Sequence, residues 1–129
     1  MDWKSILAVA VGGGIGAVLR FVVGHAALQR FGPGFPWGTL FINITGSFLI
    51  GIIAELAITR SFGVTPMVRI FAATGVLGGY TTFSTYSLDA MTLFGEGSLS
   101  VGAAYTLGSV VLGVAAAYAG IVVARIASP

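Results

Sequence analysis

Four long apolar stretches, divided by short breaks of Gly, Pro and charged residues, take up nearly the whole chain. A helix needs about 20 mostly apolar residues to cross the hydrocarbon core of a bilayer. Inside that core the backbone must satisfy its own polar groups, which a helix does within one segment. The pattern therefore predicts an all-α integral membrane protein with four transmembrane helices, over residues 3–29, 37–58, 67–94 and 99–124. Together they consume a chain of 129 residues, so a single transmembrane domain, 1–129, is expected. Charged residues make up 8 % of the chain, against about 25 % in a soluble domain.

The first span carries no charge from Ser5 to Leu19 and then meets Arg20. Without a clear small-residue cleavage site, it is expected to be a retained helix rather than a signal peptide. Gly12 and Gly16 have the small-xxx-small spacing that lets helices approach closely in lipid. The loop from Arg30 to Pro36 breaks the helix with Gly32, Pro33 and Gly34. Trp37 opens the second span, where an interfacial aromatic belongs. Gly95-Glu96-Gly97 separates the third span from the uncharged fourth. Four spans put both termini on one side, with Lys4, Arg60, Arg69 and Arg125. Arg30 falls on the other side, with Arg20 deeper in the span. That small bias alone favours a cytoplasmic N-terminus. The net charge is +2 and the six basic residues are scattered, which argues against a nucleic-acid footprint. With no cysteine in the chain, thiol chemistry is excluded.

The polar residues within the spans carry the functional information. Thr39, Asn43, Ser47, Gly51 and Glu55 recur every fourth residue and form a stripe on the second helix. Asn43 lies near its middle, where an unpartnered amide is costly. It serves either as interhelical glue or as a donor to something passing. The third span contains Gly78-Gly79 and Thr81-Thr82, each able to interrupt a helix. That reads either as a kink with hydroxyls bonded to carbonyls one turn back, or as a true break. Breaks at membrane depth line cavities or ion sites, and their freed carbonyls suit a hard monovalent cation. Phe83 and Tyr86 lie one turn apart, as packing or as positive ring edges facing an anion. Tyr105 and Ser109, four apart on the last span, form either a hydroxyl track or interhelical bonds.

The four acids, Asp2, Glu55, Asp89 and Glu96, are not central in any span, so there is no obvious proton carrier. Arg20 is the one base well inside a span and needs a partner or an aqueous vestibule. A single His offers neither a metal cage nor a triad, and the chain reads as a non-enzyme. Neutral donors without carboxylates suit an anion better than a cation. Four helices rarely enclose a pore alone, so an oligomer is expected, most simply a homodimer.

The segments Gly13 to Arg20, Gly38 to Phe48 and, most specifically, Gly75 to Ser87 resemble the CrcB/Fluc family of fluoride channels. The resemblance covers nearly the whole chain. It implies an antiparallel, dual-topology homodimer in the cell membrane that passively exports fluoride through two pores. It also implies roles for residues. Asn43 would donate to fluoride, Phe83 would present its ring edge, and Tyr105 and Ser109 would extend a polar track. Carbonyls of Gly78 and Thr81 from both subunits would hold one structural sodium ion, Na+. Arg20 would be a structural or vestibular cation. Tyr86 stands where the family commonly has a second Phe, which keeps the ring edge and adds a hydroxyl. Two rival readings are a small proton-coupled multidrug-type exporter and a purely structural membrane subunit. The exporter requires a membrane-embedded acid, and the first span has none after Asp2.

Overall fold

The computed structural model describes residues 1–129 and is entirely helical apart from its connections. Helix α1 (Trp3–Phe31) starts where the Asp2 carboxylate accepts the Ser5 N–H at 2.8 Å, satisfying one of the free donors of the first turn. It stops at Gly32, with φ of 75°, just before Pro33. Helix α2 (Trp37–Thr59) follows Pro36 and ends at Arg60 in the left-handed region. After a 3-10 turn (Ser61–Gly63), Thr65 caps α3 (Pro66–Arg69) by accepting the Val68 N–H at 3.2 Å. From α3 the chain continues without a helical break into a π-helical stretch (Ile70–Leu77) and α4 (Gly78–Tyr80). It then extends through Thr81 and Thr82, with ψ of 158° and 118°. Helix α5 (Phe83–Gly95) begins immediately afterwards, and α6 (Leu99–Ala127) completes the fold.

Helices α1, α2 and α6 are each long and apolar enough to cross a membrane. Residues 66–95, which take in the expected third span 67–94, form two half-helices on either side of the extended pair. Of the two interruptions that the sequence offered, Thr81-Thr82 is the one realised, and Gly78 and Gly79 stay helical. The glycine pair serves packing. A Cβ at Gly79 would run into the Gly13 carbonyl of α1. The π turns were not foreseen, because no periodicity distinguishes them from an α-helix in so short a run.

Helix packing follows from backbone proximity. A Cβ on Gly16 would collide with the Val76 carbonyl, and one on Gly12 would lie 2.7 Å from the Phe71 carbonyl. So α1 seats directly on the π-helical stretch. The α2–α6 seam is built alike: a Cβ on Gly51 would strike the Ala117 carbonyl, and one on Gly120 the Phe48 carbonyl. Between helices in lipid there is little hydrophobic drive, so close van der Waals contact has to hold them. Only 16 of 129 residues are buried, too few for a core in water. Exposed Ile6, Val18, Leu107 and Val111 suit contact with acyl chains instead. At one end, Arg125 of α6 donates to both oxygens of the buried Glu55 carboxylate of α2, at 3.0 and 3.2 Å.

Gly16→Ala is expected to destabilise the protein by about 1–3 kcal/mol through overpacking. Gly13→Ala should change stability little, because its added Cβ meets the Gly75 carbonyl at an ordinary 3.9 Å. Thermal unfolding in detergent compares the two, and equal melting temperatures would refute so tight a seam.

Candidate ion pathway

The extended pair between α4 and α5 is held by one side chain. Asn43 of α2 accepts the Thr82 N–H at its Oδ1, at 2.8 Å, and donates from Nδ2 to the Thr82 carbonyl at 3.0 Å. The amide thus pairs with the backbone as a neighbouring strand would, and one of its two N–H groups remains for another acceptor. Gly46, one turn along α2, lies against the Thr81 methyl, where any Cβ would clash. Before the break, the Tyr80 and Thr45 hydroxyls pair at 2.9 Å. After it, the Thr82 hydroxyl accepts the Thr85 N–H at 3.1 Å and caps α5.

These bonds redirect two backbone donors. The Thr81 N–H still makes the helical bond to the Leu77 carbonyl, at 2.9 Å, but Thr82's goes to Asn43 and Thr85's to the Thr82 hydroxyl. The carbonyls of Gly78 and Thr81 therefore lack the donors that a continuous helix would bring four residues on. They are neutral oxygens of the kind that suit a hard monovalent cation. No group of three or more His, Cys, Asp or Glu side chains is placed to hold a metal.

A groove of about 390 Å³ runs over the break and opens on the surface of the protein. It brings together Asn43, Gly78, Thr81, Phe83, Tyr86 and Ser109. None of its lining residues is charged. Phe83, which borders it, is 78 % exposed. Its centroid lies 5.5 Å from that of Tyr86, with planes tilted by 41°. The Ser109 Oγ is buried and has no hydrogen-bond partner, so it retains both donor and acceptor capacity.

Tyr105 and Arg20 lie elsewhere. Tyr105 is only 1 % exposed and packs between Tyr86 and Phe35, its hydroxyl donating to Asp89 Oδ2 at 3.2 Å. It shares no surface with the groove that Ser109 enters, and the two hydroxyls form no continuous track. Arg20 is half-buried and borders a second cavity of about 550 Å³, with His25, Thr39 and Thr85. Thr82 borders both cavities, so the extended pair stands between a pocket with a cation and an uncharged groove.

Residues 7–121 match the family model described as CrcB-like protein, Camphor Resistance (CrcB). This chain belongs to the CrcB family. It is 54 % identical over 122 residues to a protein of Rhizobium meliloti, covering 95 % of this chain and 97 % of that one. Identity is 52 % over 126 residues with a protein of Nitrobacter winogradskyi, covering 98 % and 99 % of the two chains. With a protein of Agrobacterium fabrum it is 50 % over 121 residues, covering 94 % and 96 %. Each of the three is named fluoride-specific ion channel FluC.

Sequence reasoning missed the part that Thr82 plays in this CrcB chain. A Thr directly before a helical run is a capping signal, and that signal was present. Its pairing with Asn43 spans 39 residues of chain, and nothing local announces it. The Tyr80–Thr45 pair was invisible for the same reason. Asn43→Ala would leave the N–H and carbonyl of Thr82 unmet, at about 1–3 kcal/mol per group. Chemical denaturation in detergent is expected to show a loss of at least that size, and wild-type stability would remove Asn43 as the anchor of the break.

Proposed function

We propose that this protein is a fluoride-selective channel that passively exports the ion across the cell membrane. It works as an antiparallel, dual-topology homodimer of four-span subunits. One observation carries the reading: a groove at a broken helix that gathers an amide, a free hydroxyl and aromatic ring edges, with no carboxylate. The names of the relatives point the same way.

The geometry supports a mechanism. Fluoride is small and strongly hydrated, so its water must be replaced by short, well-aimed donors. The spare N–H of Asn43 and the unpartnered Ser109 hydroxyl are such donors. The ring edges of Phe83 and Tyr86 carry the positive end of the aromatic quadrupole. Arg20 draws anions into its cavity, and Thr82 and Asn43 mark the passage from there to the groove. Tyr105 supports the ring of Tyr86 from behind. Chloride is larger and makes weaker hydrogen bonds, so the same donors compensate it poorly.

An open groove with an exposed Phe83 does not enclose an ion, and a second copy would close it. Antiparallel pairing by a two-fold axis in the membrane plane makes two equivalent pores and brings two breaks together. One chain offers the Gly78 and Thr81 carbonyls; two chains offer four, enough to hold a structural sodium ion. That ion would offset the carbonyl dipoles facing one another.

Fluoride efflux from liposomes containing purified protein, with a potassium ionophore clearing the voltage, tests the reading. Rapid fluoride release with no chloride release is expected, and equal release of both ions would end it. Asn43→Asp replaces the donor by a charge that repels the ion, and it should abolish fluoride flux. Near-normal flux in that variant would take Asn43 out of the pathway. Exchange of sodium for N-methylglucamine should weaken the dimer without any sodium flux accompanying fluoride. Stoichiometric sodium transport would contradict a structural role.

A further inference from the structure

Tyr86 is the one groove residue whose ring carries a hydroxyl, and the structure accounts for that atom. The Tyr86 hydroxyl does not face the groove that its ring borders. It donates to the Thr106 carbonyl of α6 at 2.8 Å. Its ring lies between two others, with centroids 5.5 Å from Phe83 and 5.5 Å from Tyr105. The neighbouring contact runs the other way, from Tyr105 of α6 to Asp89 of α5 at 3.2 Å. Two tyrosines thus clasp the same pair of helices, each bonded to the opposite one.

We infer that Tyr86 is a positioning and selectivity-determining residue: its hydroxyl is a tether to α6 that fixes where the ring stands at the groove, and not a donor to the ion. The inference rests on the channel reading. The hydroxyl oxygen lies on the axis about which the ring turns, so the bond to Thr106 fixes where that axis points rather than the rotation about it. A phenylalanine ring there keeps its edge but lacks the bond and can swing between staggered wells about χ1. The tyrosine bond, part-buried between α5 and α6, holds the ring in one of them. An edge held in one place favours the smaller anion, because the passage cannot widen by the ring swinging aside. The Thr106 carbonyl is the carbonyl of a regular helical residue, so losing the tyrosine bond leaves no orphaned acceptor.

Two measurements test this. The first uses tyrosine labelled with 13C at Cζ, in which a slowly exchanging hydroxyl splits its signal in mixed H2O/D2O. Variants Tyr80→Phe, Tyr86→Phe, Tyr105→Phe and Tyr118→Phe assign the four signals. The Tyr86 signal should be split, and it should not move when chloride is replaced by fluoride. The second is the fluoride-to-chloride ratio of liposome efflux for Tyr86→Phe. That ratio should fall about five-fold, the scale that loss of one neutral hydrogen bond permits. A Cζ signal that shifts with fluoride would overturn the inference, because the hydroxyl would then touch the ion. So would an unchanged selectivity ratio in Tyr86→Phe. A wild-type protein that releases no fluoride would defeat the channel reading instead, while the split signal would still establish the tether.

Discussion

Two hydrogen bonds between Asn43 and the backbone of Thr82 determine most of what is distinctive here. A helix interrupted at membrane depth exposes amides and carbonyls that water cannot reach. Each unmet group would cost about 1–3 kcal/mol, enough to drive the segment back to a continuous helix. An Asn side chain presents a donor and an acceptor at the spacing of a peptide unit, so one residue meets both demands of Thr82. That pair takes the Thr82 N–H from the Gly78 carbonyl, and the Thr82 hydroxyl takes the Thr85 N–H from the Thr81 carbonyl, so both carbonyls are left over. The break, the groove and the candidate cation site share one origin.

That anchor works because the surrounding helices cannot move apart. Glycines at Gly12 and Gly16 seat α1 on the π-helical stretch, and Gly51 and Gly120 seat α2 on α6. A π-helix is wider than an α-helix and places its carbonyls differently, and those of Phe71 and Val76 meet the α1 glycines. Packing by backbone contact suits a bilayer, where burying another Leu gains little over leaving it in lipid. The absence of a large buried core is therefore no sign of weakness.

The groove differs in character from the pocket beside Arg20. One is uncharged and lined in part by Phe83 and Tyr86, and the other is bordered by the half-buried Arg20. Thr82, bordering both, connects the element that breaks the helix to the chemistry on either side of it. The rings are ordered in turn by contacts away from the groove, since Tyr86 and Tyr105 both send their hydroxyls across the α5–α6 interface. Aromatic groups that seem interchangeable in composition thus play different parts: Phe83 is exposed, Tyr86 is tethered and Tyr105 is buried.

Much of this was legible in the chain. Apolar length alone placed α1, α2 and α6 within a few residues of their ends, because lipid imposes one simple condition on every position. Runs of glycine and threonine marked where the third segment is interrupted, since those residues weaken a helix or offer it a hydroxyl. The stripe through Asn43 identified the polar face of α2. Pairings between distant residues were not legible. Which of the two interruptions is realised depends on Gly79 resting against Gly13, and on Asn43 reaching Thr82 across 39 positions. The direction of the Tyr105 hydroxyl depends on where α5 sets Asp89. Periodicity reports the face of a helix, but the identity of the partner on that face is a property of how helices dock.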